Sequence, residues 1–209
     1  MRHRIAAAVI GVLALVFGFT GASSAGGYKC AVVDPAGEAV LSPGRGFDGQ
    51  AFQDIVETGI ERTAGAVVFS MTLAAPIPAV PSIKTGNGLM LWMWGMNTAP
   101  GVPQGFPLSP GLAGLLEFWI HLAWDGEDFY AEVIDRRPGA LGGEPIVTPV
   151  EFEISGDTIS VIAPVNLFDD PQEFRWGSST WLWSTHLATA AAHVVDRAPD
   201  GPASTCTAN

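Results

Sequence analysis

The sequence predicts an all-β fold, a two-sheet antiparallel β-sandwich of jelly-roll-like kind with about eight strands. Three observations predict it. Gly (25) and Pro (16) are frequent among the 209 residues, and helix-period patterning is scarce. Short runs alternate apolar and polar residues between turn signals. Two cysteines, Cys30 and Cys206, stand near opposite ends of the chain, where one disulfide would tie the termini together.

Each element follows from local pattern. In "DIVETGIERTAGAVVFSMTL", a turn at Ala64 and Gly65 sets Val56, Thr58 and Ile60 opposite Leu73, Met71 and Phe69. "GLMLWMWGM", residues 88–96, is a strand apolar on both faces, as a middle strand is. We expect Leu89, Leu91 and Met93 to face the core, with Met90, Trp92, Trp94 and Met96 on the far side. "LLEFWIHLAWDGEDFYAEVIDRR" is a hairpin whose loop is residues 125–128. That register pairs Trp124 with Phe129, Leu122 with Ala131 and Ile120 with Val133, and on the other face His121 with Glu132 and Glu117 with Arg136. In "VEFEISGDTISVI", Gly156 and Asp157 turn the chain so that Ile154 meets Ile159 and Phe152 meets Val161, with Glu151 and Glu153 toward water. "FRWGSSTWLW", residues 174–183, is the last expected strand. Residues 74–85, 97–110 and 137–149 are Pro- and Gly-rich and predict loops; residues 163–171 suit one helical turn.

Residues 1–25 are expected to be a secretory signal peptide. Arg2 and Arg4 precede an apolar run over residues 5–19, and Ser23, Ser24 and Ala25 offer a small-residue cleavage site. The run is about 15 residues long against the ~20 of a spanning helix. Residues 26–209 then form one sandwich domain, secreted and extracellular, with no second hydrophobic run long enough to span a bilayer. Without Arg2 and Arg4, eight bases face 21 acids, a formal charge of −13. This excludes nucleic acid as a partner, since binding it requires clustered Lys and Arg.

The acids gather at both ends of the mature chain: Asp34 and Glu38 in "DPAGE", Asp54 in "FQDIV", Asp196 and Asp200 in "DRAPDGP". A disulfide would draw them together, and crowded carboxylates call for a hard cation, for which calcium is the natural extracellular choice. The alternative is that Asp34 and Asp196 cap turns through their side-chain oxygens. These terminal motifs, with an all-β middle between them, resemble secreted bacterial β-sandwiches related to family 9 carbohydrate-binding modules and the DOMON-like group. The resemblance implies that Asp34, Glu38, Asp54, Asp196 and Asp200 are structural or ion-binding. It also implies a ligand drawn from sugars or haem. The acidic "LDTD" often found after the central strand of such domains is replaced here by Gly95, Met96, Asn97 and Thr98.

Seven Trp residues supply a second candidate. Sugar rings stack on indoles, so Trp92, Trp94, Trp181 and Trp183 are candidate ligand-binding residues if their strands are bare; cover by the Pro-rich loops is the other home open to them. No CxxCH, GxSxG or HExxH motif occurs. The sequence therefore predicts a non-catalytic carbohydrate-binding module with a structural calcium ion. Two alternatives stand beside it: an extracellular protein-interaction module with a Trp-rich face, and a glycoside-acting enzyme built on Glu117 and Glu132.

Overall fold

The computed structural model describes residues 27–39, 49–81, 88–98, 116–140, 142–184, 191–200 and 203–208. The expected leader at residues 1–25 and most of the expected loop at residues 97–110 lie outside them. Twelve strands are described: β1 (Lys29–Val33), β2 (Ile55–Arg62), β3 (Ala66–Leu73), β4 (Gly88–Asn97), β5 (Phe118–Trp124), β6 (Phe129–Asp135), β7 (Ile146–Pro149), β8 (Glu151–Ser155), β9 (Thr158–Pro164), β10 (Glu173–Ser184), β11 (Ala191–Ala198) and β12 (Ser204–Thr207). They form two antiparallel sheets. The five-stranded sheet runs β1-β2-β3-β9-β8, and the seven-stranded sheet runs β11-β10-β4-β5-β6-β7 with β12 also on β10. The chain thus changes sheet three times, after β3, β7 and β9.

Eight of the twelve strands are the ones the sequence predicts. The β5–β6 register is as expected, from Trp124 opposite Phe129 to Phe118 opposite Asp135, and the Arg136 amide extends it by donating to the Glu117 carbonyl. β8 and β9 pair Ile154 with Ile159 and Phe152 with Val161. In β2–β3 the expected pairs Thr58–Met71 and Ile60–Phe69 hold, but a bulge between Ile55 and Glu57 puts Ile55, not Val56, opposite Leu73. A bulge adds one unpaired residue and shifts the face of everything before it. Residues 137–149, expected as a loop, hold a helical turn at Arg137–Ala140 and the edge strand β7. Pro149 is tolerated there because an edge strand needs no donor on its outer side. The helical turn expected in residues 163–171 is a 3-10 turn at Val165–Phe168.

The four additional strands flank the predicted ones. β11 and β12 lie in succession along one edge of β10: Ser178 pairs with Ala198, and Trp176 with Ser204. Between these two pairs only Gly177 remains on β10. Neither β1 nor β12 has a hairpin partner near in sequence, so local pattern does not reveal them.

The face of β4 is the reverse of the expectation. Met90, Trp92, Trp94 and Met96 are all buried between the sheets, whereas Leu89 and Leu91 are half-buried on the outside. The indoles choose this side because acceptors await them there, on the turn that leads into β2 and on the opposite sheet. Trp92 Nε1 donates to the Phe52 carbonyl at 2.9 Å, and Trp94 Nε1 to Thr58 Oγ1 at 2.9 Å and the Ser70 carbonyl at 3.2 Å. A buried donor left unpaired would cost about 1–3 kcal/mol. On the outer face Gly95 is required by contact: a Cβ there would lie 2.1 Å from Leu116 Cδ1.

Candidate cation site at the junction of the chain ends

The Cys30–Cys206 disulfide is present, with Cα atoms 5.9 Å apart, joining β1 to β12. It sets the segment after β1 beside the break between β11 and β12. All five carboxylates expected to gather do so. Asp34, Asp196 and Asp200 each offer an oxygen within 4.8 Å of the others. Asp34, Asp54 and Asp196 are buried, at 6%, 4% and 5% exposure, while Glu38 and Asp200 are exposed.

Backbone contacts from distant segments fix the arrangement. Asp34 is held by its amide, which donates to the Val56 carbonyl at 3.0 Å. The chain then turns at Gly37, whose φ of +96° favours glycine, and the Gly37 amide donates to Asp54 Oδ2 at 2.7 Å. Asp196 Oδ2 accepts from the Ile55 amide at 2.6 Å, and its Oδ1 from the Arg197 amide at 2.8 Å. Asp54 itself follows the 3-10 turn at Ala51–Gln53. That turn is pinned to the core by Trp92, on the Phe52 carbonyl, and by Thr180 Oγ1, on the Gln53 carbonyl at 2.6 Å. Trp92 thus positions a carboxylate from within the core. These amide and hydroxyl supports depend on long-range pairing, and no sequence signal marks them.

The electrostatics are those of an anionic pocket short of positive charge. Burial, with the charges of Asp200, Asp196, Glu38 and Asp54 added, pushes the Asp34 carboxyl up to about 7. Burial also raises Asp196, against the lowering effect of its two amide donors. Glu38 is raised by a hydrogen bond to Asp200 and by that group's charge. Asp34 Oδ2 and Asp54 Oδ1 are buried with no hydrogen-bond partner. Buried carboxylate oxygens in native proteins are almost always satisfied; here Tyr28 Oη, Gln53 Nε2, Trp119 Nε1 and Trp176 Nε1 are buried without a partner as well. The donor set is all oxygen, which suits a hard cation with tolerant geometry.

The aromatic candidates behave differently. Trp92 and Trp94 are fully buried and present no ring face to a sugar, which corrects the expectation that they line a binding platform. Trp181, at 9% exposure, donates its Nε1 to Ser179 Oγ at 2.6 Å. Trp183 belongs to β10, and its side chain lies outside the described residues. Glu117 and Glu132 are engaged otherwise. Glu117 is buried and accepts from the amide and hydroxyl of Thr98, and Glu132 lies 3.6 Å from His121 Nε2. Burial lowers His121 to about 4, so the imidazole is neutral at pH 7.

No family model, curated protein or solved structure matches this chain. Among the described residues, no helix is long and apolar enough to cross a membrane.

Proposed function

We propose that this chain is an exported, non-catalytic binding module whose two ends are locked together by a disulfide and a calcium ion. The observation that carries the reading is the buried, unpartnered Asp34 Oδ2 beside the converging oxygens of Asp196 and Asp200. Asp34, Asp196 and Asp200 hold the ion; Glu38 adds charge at its exposed side, and Asp54 shapes the loop that presents Asp34. Calcium supplies what the pocket lacks, a positive charge that needs six to eight oxygens and accepts irregular geometry. Export supports the reading twice over, through the leader-like residues 1–25 and through a disulfide that persists where thiols are oxidised. The likeness to family 9 modules and DOMON-like domains rests on the same terminal acids. A carbohydrate ligand, if one is bound, would sit elsewhere than on Trp92 and Trp94.

Calorimetric titration of the oxidised chain, residues 26–209, with calcium tests this. One ion per chain is expected, with Asp34→Asn and Asp196→Asn each abolishing the heat and the rise in Tm over metal-free protein. Absence of both heat and Tm shift in the wild-type protein would overturn the proposal. Binding unchanged in both variants would move the ion away from this junction.

A further inference from the structure

We infer that the free edge of the five-stranded sheet, strand β8, docks an extended segment of a partner protein bearing Lys or Arg at alternate positions. The edge and the cation site are independent, since they involve no common residue. Among the described residues β8 lies last in its sheet and pairs along its whole length with β9 alone. Sheet edges are normally blunted by short length, charged side chains, Pro, bulges or covering segments, because their unpaired amides and carbonyls accept a further strand. The other edges show such devices. β1 is bonded to β12 through Cys30 and Cys206, β11 carries a register shift against Thr180 and Trp181, and β7 ends in Pro149. The β8 sequence, "EFEIS", has no Pro and no Lys, and its register with β9 is unbroken.

Two further observations specify the occupant. Phe152, on β8 itself, is among the exposed large apolar side chains of the described residues, at 38%. An exposed aromatic ring on an edge strand offers apolar contact to the side chains of an added strand. The charge there is of one sign. Residues 138–164 contain Glu144, Glu151, Glu153 and Asp157 and neither Lys nor Arg. Glu151 and Glu153 are exposed on one face of β8, with Phe152 on the other. An added strand has its own alternation, so basic residues would meet the two glutamates while the intervening apolar residues lie beside Phe152. A second copy of this chain would place glutamate against glutamate, which disfavours self-pairing.

The test uses the oxidised chain and a labelled synthetic peptide alternating Lys and Val, followed by fluorescence anisotropy. Saturable binding is expected, weakened about tenfold or more when alternate peptide amides are N-methylated, since these can no longer join the ladder. The double variant Glu151→Lys with Glu153→Lys should weaken it similarly. Both substituted side chains are exposed, and an unchanged near-ultraviolet circular dichroism spectrum verifies the fold. No saturable binding overturns the inference, as does equal binding of the N-methylated peptide, which signals attraction to net charge alone. Concentration-dependent dimers of the wild-type chain that vanish in the double variant assign the edge to a second copy and likewise overturn it.

Discussion

Trp92 and Trp94 between the sheets and the carboxylates at the chain ends both carry polar atoms into buried surroundings, yet only the two indoles have theirs matched. Trp92 finds an acceptor in the 3-10 turn at Ala51–Gln53 and Trp94 finds its own on the opposite sheet, so burial leaves neither indole N–H unmet. At the junction, Asp34 Oδ2 and Asp54 Oδ1 are buried without partners, and like charges surround Asp34. A satisfied buried group needs no function to explain it, whereas an unsatisfied one asks what else belongs there. The same side-chain chemistry that made both regions candidates therefore separates them once partners are counted.

The largest effect should come from cutting the staple. Cys30→Ser with Cys206→Ser removes a crosslink spanning 176 residues of sequence, and loop entropy puts its contribution at about 5 kcal/mol. Urea denaturation should show that loss, with calcium affinity falling as the junction loosens. Affinity unchanged despite the full loss would mean that the sheets alone assemble the carboxylates. Next in size is Trp94→Ala, a large-to-small change in the core expected to cost about 3–5 kcal/mol. Calcium binding should survive it under folding conditions, because Trp94 bonds to Thr58 and Ser70 and not to the turn before Asp54. Trp92→Phe is the sharper probe. It keeps most of the volume, removes the bond to the Phe52 carbonyl, and should lower calcium affinity more than Trp94→Phe does. If the two phenylalanine variants bind alike, the link from core to junction through the 3-10 turn is wrong.

How much of this was legible follows from how local each signal is. Hairpins whose two strands adjoin in sequence could be paired residue by residue, as β5 with β6 and β8 with β9, because turn and alternation together set the register. The bulge at Val56 was not legible, since nothing in "DIVET" marks an extra residue. For β4 the alternation was plain but its sign was not: both faces are apolar, and the choice depends on acceptors at Phe52, Thr58 and Ser70 that are distant in sequence. The gathering of Asp34, Glu38, Asp54, Asp196 and Asp200 was legible because two cysteines at the ends leave one economical pairing. The amides of Gly37 and Ile55 that aim those acids were not, because every residue has an amide and only the fold selects which ones count.

Calcium should stabilise the oxidised chain by about 2.7 kcal/mol at a free concentration one hundred times its Kd, a smaller effect than Trp94→Ala, and one absent from Asp34→Asn. The smallest and most diagnostic effect is the pH dependence of the metal-free protein. The folded-state value for Asp34, about 7, lies above its ordinary 3.8. Between these values the folded chain keeps a proton that the unfolded chain has released, so stability falls as pH rises through that window. Asp196 and Glu38 are raised too and act in the same direction. His121 opposes them: its folded value of about 4 lies below the ordinary 6.5, so its contribution is lost as pH falls through that range. In metal-free protein the urea midpoint should therefore decline more steeply from pH 4 to 7 in His121→Gln than in the wild type, and less steeply in Asp34→Asn. Saturating calcium should flatten the decline, because the ion replaces the proton as the charge that the buried carboxylates require. A decline of equal slope in Asp34→Asn and wild type would place the titrating group elsewhere and leave the junction as ordinary turn chemistry.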